Sequence, residues 1–215
     1  SLLGAFMSEV NDALAAAGQP LIIGFDIMSP TVFFGILIGA SIPAVFSAML
    51  ILGVDRNAQR MVAEIHRQFN SIAGLKEGKP GVKPEYDKCI DIATVGSLRE
   101  LIPAGLMTII ATIIVGFMGG PLAIGGFLLG NIVSGLLLAL FMSNAGGLWD
   151  NSKKYVESGH EGGKGSKAHK AAVIGDTVGD PFKDTAGPSI NTQITAVSLV
   201  ASLLSAAFVA FSLFG

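Results

Sequence analysis

The chain has 215 residues, 51% of them hydrophobic and only 14% charged, and its 28 glycines and positive mean hydropathy set it apart from ordinary soluble domains. A formal net charge of −2 and 7% aromatic residues leave no basic field for nucleic acid, so none is expected as a partner. The one cysteine, Cys89, excludes an intrachain disulfide framework and lacks companions for a thiolate metal site. A membrane protein is the starting expectation, and the long uncharged runs along the chain make it an all-α integral membrane protein, a multi-span helical bundle.

The opening, SLLGAFMSEV, lacks an initiating Met and the basic n-region of a signal peptide, and starts inside an apolar segment. Residues 1–8 read as the tail of a preceding span, and the chain as the C-terminal part of a longer protein. A spanning helix needs about 20 apolar residues, each rising about 1.5 Å through about 30 Å of hydrocarbon. The uncharged run between Asp26 and Asp55 supplies one span, at about 31–54.

Beyond it, DRNAQRMVAEIHRQFNSIAG places Ala58, Met61, Val62, Ile65, Phe69 and Ile72 at the spacing of an amphipathic helix, which predicts that the span continues out of the membrane. His66 has no second His or Cys nearby and reads as a solvated helix residue. LKEGKPGVKPEYDK has turn chemistry and reads as a connector to a helix beginning near Ser97.

The stretch between Glu100 and Asp150 carries no charge but is interrupted by Gly119, Gly120 and Pro121. It divides into spans at about 101–118 and 122–145 joined by a tight hairpin. Gly35 and Gly39, and Gly126, Gly130 and Ser134, recur four apart, the spacing that lets helix backbones approach closely. A last uncharged run supplies the span at about 185–213. All 14 Lys and Arg residues fall in the loops at about 55–100 and 150–184, so the positive-inside bias makes both loops cytoplasmic and both chain ends external.

In the second loop, ESGHEGGKGSKAHK misses the P-loop pattern, because Gly165 follows Lys164 and Ser158 stands where the first glycine is required. It reads as a flexible basic linker that moves over an anionic ligand. Two charged clusters flank it: Asp150, Lys153 and Lys154 on one side, and Asp176, Asp180, Lys183 and Asp184 on the other. The three later aspartates lie at i, i+4 and i+8, where like charges repel and call for cations. Hard Mg²⁺ bridging carboxylates to phosphate oxygens would answer that need, with the lysines contacting the same phosphate. The plainer reading is a set of helix-end charges that pair and snorkel to the interface. Asn191 and Thr195 continue the direction of Asp184 into the membrane, while Pro181 and Pro188 each remove a helix hydrogen bond and make the entrance irregular.

WDNSKKYVESG and HKAAVIGDTVGDPFKDTAGPSIN, with VFFGILIGASIPAVFSAM, MVAEIHRQF, GLKEG, KPEYDKC and SNAGGLWDN before them in order, resemble the membrane-bound, ion-translocating pyrophosphatases. The resemblance covers nearly the whole chain from about residue 24. It implies a homodimeric, multi-pass enzyme of the bacterial inner membrane that hydrolyses Mg-pyrophosphate at its cytoplasmic face and moves H⁺ and/or Na⁺. This chain would hold the last four spans and be inactive alone. The implied cofactor is Mg²⁺, with K⁺ as a further candidate.

Residue by residue, the resemblance implies Mg²⁺ contacts for Asp150, Asp176, Asp180 and Asp184, phosphate contacts for Lys153, Lys154 and Lys183, and activation of water by Asp184. Asn191 and Thr195 fall at the ion gate, where Thr195 replaces the lysine common in that family. The alternative is a secondary transporter or channel whose Asp/Lys cluster binds the transported ion without hydrolysis.

Overall fold

A computed structural model describes residues 1–214, and the regular elements among them are helical. Ser1 caps α1 (Leu2–Ala16) by accepting from the Gly4 amide, and Phe6, Val10 and Leu14 form its buried face. The helix therefore runs on beyond the predicted 1–8, because Glu9 and Asp12 fall on its exposed side and do not interrupt the apolar one. Asn11 ties down the segment after it through paired bonds to the Ile22 backbone, at 2.8 and 2.9 Å.

Pro30 starts α2 (Pro30–Ser71), where its missing N–H costs nothing. The helix crosses the predicted 31–54 span and continues into the charged stretch, as its amphipathic spacing predicted. α3 (Tyr86–Glu157) is two arms, 86–119 and 121–157, separated by Gly120 at φ 64° and ψ −163°, a conformation that glycine alone adopts cheaply. Pro121 opens the second arm, so the hairpin predicted at Gly119–Pro121 is where the chain turns.

The arms flank α2 by different means. The second arm runs parallel to α2 at backbone contact: a Cβ on Gly35 or Gly39 would overlap the carbonyls of Ala123 or Phe127, and one on Gly126 or Gly130 those of Val32 or Ile36. The predicted glycine spacing is thus a reciprocal packing seam. The first arm runs antiparallel to α2, with Phe46 and Leu50 on Ala104 and Arg56 and Arg60 bonded to Glu100 at 2.5 and 3.3 Å.

Outside the apolar run this pairing persists, and it corrects one expectation: α3 begins at Tyr86, well before Ser97. Gln68 accounts for the difference. Its Oε1 accepts from the Glu85 amide at 2.8 Å, while its Nε2 donates to Glu64 at 2.8 Å and to the Glu85 carbonyl at 3.1 Å. Asn57 reaches the Ala93 carbonyl across Gly96 at 3.3 Å. These polar residues occupy the side of α2 that faces α3. Val62, Ile65 and Phe69 of the apolar stripe consequently stay exposed, and so does His66.

Arg67 bonds to Glu64 at 2.7 Å and to Glu85, and with Gln68 it holds the Glu64 carboxyl well below its ordinary 4.5, at about 2. A depressed carboxyl stabilises the fold above its unfolded value and loses that contribution as pH falls through the folded one. Acid should therefore loosen the 72–85 connector between about pH 4.5 and 2. Pepsin cleavage there should accelerate across that window relative to Glu64→Gln, whose neutral amide removes this titration. Equal pH profiles for the two would contradict the prediction.

Ser166 caps α4 (Lys167–Asp180) by accepting from the His169 amide. Pro181 then opens a π-helical turn (Pro181–Ala186), closed by the Gly187 amide bonding back to the Phe182 carbonyl. α5 (Gly187–Leu203) packs antiparallel to the second arm, with Gly135 against Ile190 and Ile194 and Gly187 against Ser143. The predicted 185–213 span is not straight: α6 (Ser205–Phe211) leaves α5 at 54°. The bend carries Phe208 into the core, edge-on to Phe117 at 5.2 Å and over Gly116, and the Leu213 amide reaches the Phe117 carbonyl at 2.8 Å. Phe6, Val10, Ile124, Phe127, Val197 and Phe208 form the shared core.

Candidate functional site

The packing directions bring the end of α2, the start of the first arm, the end of the second arm and α4 to one end of the bundle. Both basic stretches lie there. Between the second arm and α4 the backbones are almost in contact, since a Cβ on Gly146 would stand 2.5 Å from the Gly179 carbonyl and 2.9 Å from the Lys183 Cβ. Trp149 seals this seam, covering Gly175 and Gly179 and meeting the Phe182 ring edge-on at 6.0 Å.

The approach brings all seven predicted charged residues together around two lysines. Lys183 Nζ lies 2.7 Å from Asp184 Oδ2, 2.9 Å from Asp180 Oδ1 and 3.7 Å from Asp150 Oδ2. Lys153 bonds to Asp176 and stands 3.7 Å from Asp150 Oδ1. Lys154 takes Asp150 Oδ2 at 3.0 Å but points outward, its side chain 63% exposed. Lys183, by contrast, is only 19% exposed, and its three carboxylates come from three different segments.

The π-turn makes this possible. It places Lys183 within reach of Asp180 behind it and Asp184 beside it, while Asp176 remains on the α-helical part and is 6% exposed. The i, i+4, i+8 stripe read from the sequence is therefore divided between two lysines.

The electrostatics follow from these contacts. Hydrogen bonds to Asp184 and Asp180 push the Lys183 ammonium up, and the bond to Asp176 does the same for Lys153, so both remain cationic. Lys154, followed by the charges of Lys183 and Lys153, holds Asp150 below its ordinary value and ionised. The donor set is all oxygen, as a hard divalent cation requires, and the buried Asp176 Oδ1 has no protein partner among the described residues. These residues suit Mg²⁺ in kind. Among the described residues, however, no three carboxylates, imidazoles or thiols gather into a ready-made cage; the carboxylates surround lysines instead.

The linker 158–166 is folded on itself in a way the sequence reading missed. Gly159, Gly162, Gly163 and Gly165 take left-handed backbone, His160 stacks on Tyr155 at 3.9 Å, and His169 bonds to Glu157 at 3.1 Å. Four glycines between Ser158 and Ser166, with His160 and His169 near the two ends, were the available signal.

Asn191 and Thr195 lie on the exposed side of α5, and the Thr195 hydroxyl donates to the Asn191 carbonyl at 3.0 Å. Between them in sequence, Gln193 turns inward and donates to Asn131 at 3.0 Å. This buried amide pair was missed: its members are 62 residues apart, and only the presence of two amides in apolar runs hinted at it.

Long apolar helices in a close-packed bundle, with a lysine-centred carboxylate cluster at one end, define an integral membrane protein. The chain belongs to the family described as inorganic H⁺ pyrophosphatase, whose match covers residues 1–204. It is 47% identical over 211 residues to a K⁺-insensitive pyrophosphate-energized proton pump of Chloroflexus aurantiacus, covering 95% of this chain and 27% of that protein. A protein of the same name from Methanosarcina mazei is 51% identical over 177 residues, 82% of this chain and 26% of the relative. One from Bacteroides thetaiotaomicron, named as a proposed K⁺-stimulated pyrophosphate-energized sodium pump, is 45% identical over 188 residues, 87% of this chain and 25% of the relative. The chain thus spans about a quarter of the length of these curated relatives. The resemblance read from WDNSKK and GDTVGDPFKD is borne out at the level of the family.

Proposed function

We propose that this chain is part of a pyrophosphate-energised cation pump, which couples Mg²⁺-dependent hydrolysis of inorganic diphosphate to translocation of H⁺ and/or Na⁺. The observation that carries the reading is Lys183, held by Asp150, Asp180 and Asp184 beside the Lys153–Asp176 pair. Charge-paired ammonium groups of this kind suit a diphosphate, whose oxygens replace carboxylates as their partners. Names carried by the Chloroflexus and Methanosarcina relatives favour H⁺ as the ion and activity without K⁺.

In this proposal Asp150, Asp176, Asp180 and Asp184 hold Mg²⁺ with the substrate. Bound there, Mg²⁺ would neutralise substrate charge and polarise phosphoryl oxygens. Lys183 and Lys153 bind the phosphate groups, and Lys154, more exposed, assists. Asp184, 64% exposed and bonded to Lys183 through Oδ2, orients the attacking water and accepts its proton. Asn191 and Thr195 line the ion path below. The rest of the protein supplies the other half of the site, so these residues alone are proposed to be inactive. The whole protein is proposed to be a homodimer in a bacterial inner membrane, with spans near 31–54, 101–118, 122–145 and 185–213 and both basic loops in the cytoplasm.

Membranes carrying the full-length protein should hydrolyse pyrophosphate in the presence of Mg²⁺, and Asp184→Asn should reduce the rate by about 10²–10⁴-fold. Sealed vesicles should at the same time acidify or take up radioactive sodium. No hydrolysis by the wild type, or full activity in Asp184→Asn, would remove the catalytic assignment; hydrolysis with no gradient of either ion would remove the pump.

A further inference from the structure

Inside the apolar part of the bundle, Gln193 Nε2 donates to Asn131 Oδ1 at 3.0 Å, with Asn131 0% and Gln193 3% exposed. Each amide makes one bond to the other and leaves its second polar atom unused: Asn131 Nδ2, Gln193 Oε1 and the Ser134 hydroxyl one helical turn away have no protein partner among the described residues. The buried hydroxyls of Thr108, Thr112 and Ser198, by comparison, donate to carbonyls of their own helices, while that of Ser47 stands without a partner among the described residues on α2, outside this amide pair's two helices. The three unused atoms are already sealed by this chain's packing, so no additional helix can reach them. Leaving such groups unbonded in an apolar interior is costly.

We infer that Asn131, Gln193 and Ser134 hold a water molecule inside the membrane, between the second arm and α5. The unused set is one amide N–H donor, one carbonyl acceptor and a hydroxyl that can do either. Exchanging O and N on both amides reverses which residue donates, yet still leaves one donor and one acceptor. A water satisfies both at once. A dehydrated metal cation does not, since it needs oxygen ligands throughout and the N–H would face it. The bridged pair also keys the rotation of α5: Gln193 is about 200° around the helix from Asn191 and from Thr195, so fixing it inward holds those two outward. This inference does not rest on the pump reading.

A structure of the full-length protein in lipid, at a resolution that shows other buried waters, tests it directly. A single peak bonded to both amides is expected, unchanged when Na⁺ and K⁺ are replaced by choline. No peak, or a peak that disappears with the alkali cations, overturns the inference. A thermal-melting cycle is the second measurement. Gln193→Leu and Asn131→Leu should each lower Tm by several degrees because each strands the other amide, whereas the double variant, with no amide left, should recover part of that loss. Additive losses would overturn the bridge.

Discussion

Lys183→Met in the full-length protein should abolish most pyrophosphate hydrolysis, by about a hundredfold or more, which is the scale for removing one preorganised charge from a phosphoryl-transfer site. Methionine keeps the apolar stem, one atom shorter, but removes the cation within 3.7 Å of Asp150, Asp180 and Asp184. Two effects then act together. Substrate loses a positive partner, and three carboxylates are left facing one another with Lys154 and Lys153 as the nearby cations among the described residues. Asp150, now held below its ordinary value partly by Lys183, should rise and make the residual activity more acid-sensitive. Lys183→Arg should restore only part of the rate, because a planar guanidinium does not occupy the same point among three oxygens. Unchanged turnover in Lys183→Met would reduce the cluster to helix-end charge pairing, the plainer reading that its sequence also allowed.

What the sequence made legible depends on the range of the interaction. Gly119-Gly120-Pro121 announced a turn through backbone chemistry that is local, and Gly35, Gly39, Gly126 and Gly130 announced close packing through spacing alone. Pro181 and Pro188 announced an irregular helix entrance because each lacks an amide hydrogen. What those prolines could not announce was the π-turn itself, and with it the partition of the aspartates: counting at 100° per residue fails across Pro181–Ala186, where the bond from Gly187 reaches back five residues. The start of α3 was misplaced for a different reason. Charges and prolines between Leu75 and Lys88 read as connector, but Gln68 binds the Glu85 backbone from another helix and fixes the helix start. Likewise, the apolar stripe of α2 showed an amphipathic helix but not which side meets α3, and there Asn57 and Gln68 make the contact. The bend between α5 and α6 has no proline or glycine at it and follows from the place available to Phe208 beside Gly116.

Gly146→Ala should damage stability and activity together, while Gly147→Ala, one residue away, should do neither. A methyl group on Gly147 meets nothing within 4 Å among the described residues, and alanine is the better helix former by about 1 kcal/mol. On Gly146 the same methyl would press on the Gly179 carbonyl at 2.5 Å, on Lys183 Cβ at 2.9 Å and on the Lys183 amide nitrogen at 3.0 Å. Two of those neighbours are backbone atoms, which cannot swing aside as a side chain would, so the second arm and α4 must separate. Overpacking of this kind costs about 1–3 kcal/mol. The separation also falls on the charge contact between Lys183 and the second arm, its 3.7 Å approach to Asp150. Thermal melting and pyrophosphate turnover of both variants, measured in the full-length protein, decide the matter: a Gly146→Ala protein with wild-type Tm and rate would mean that close approach of these two helices does not set the geometry of the lysine cluster.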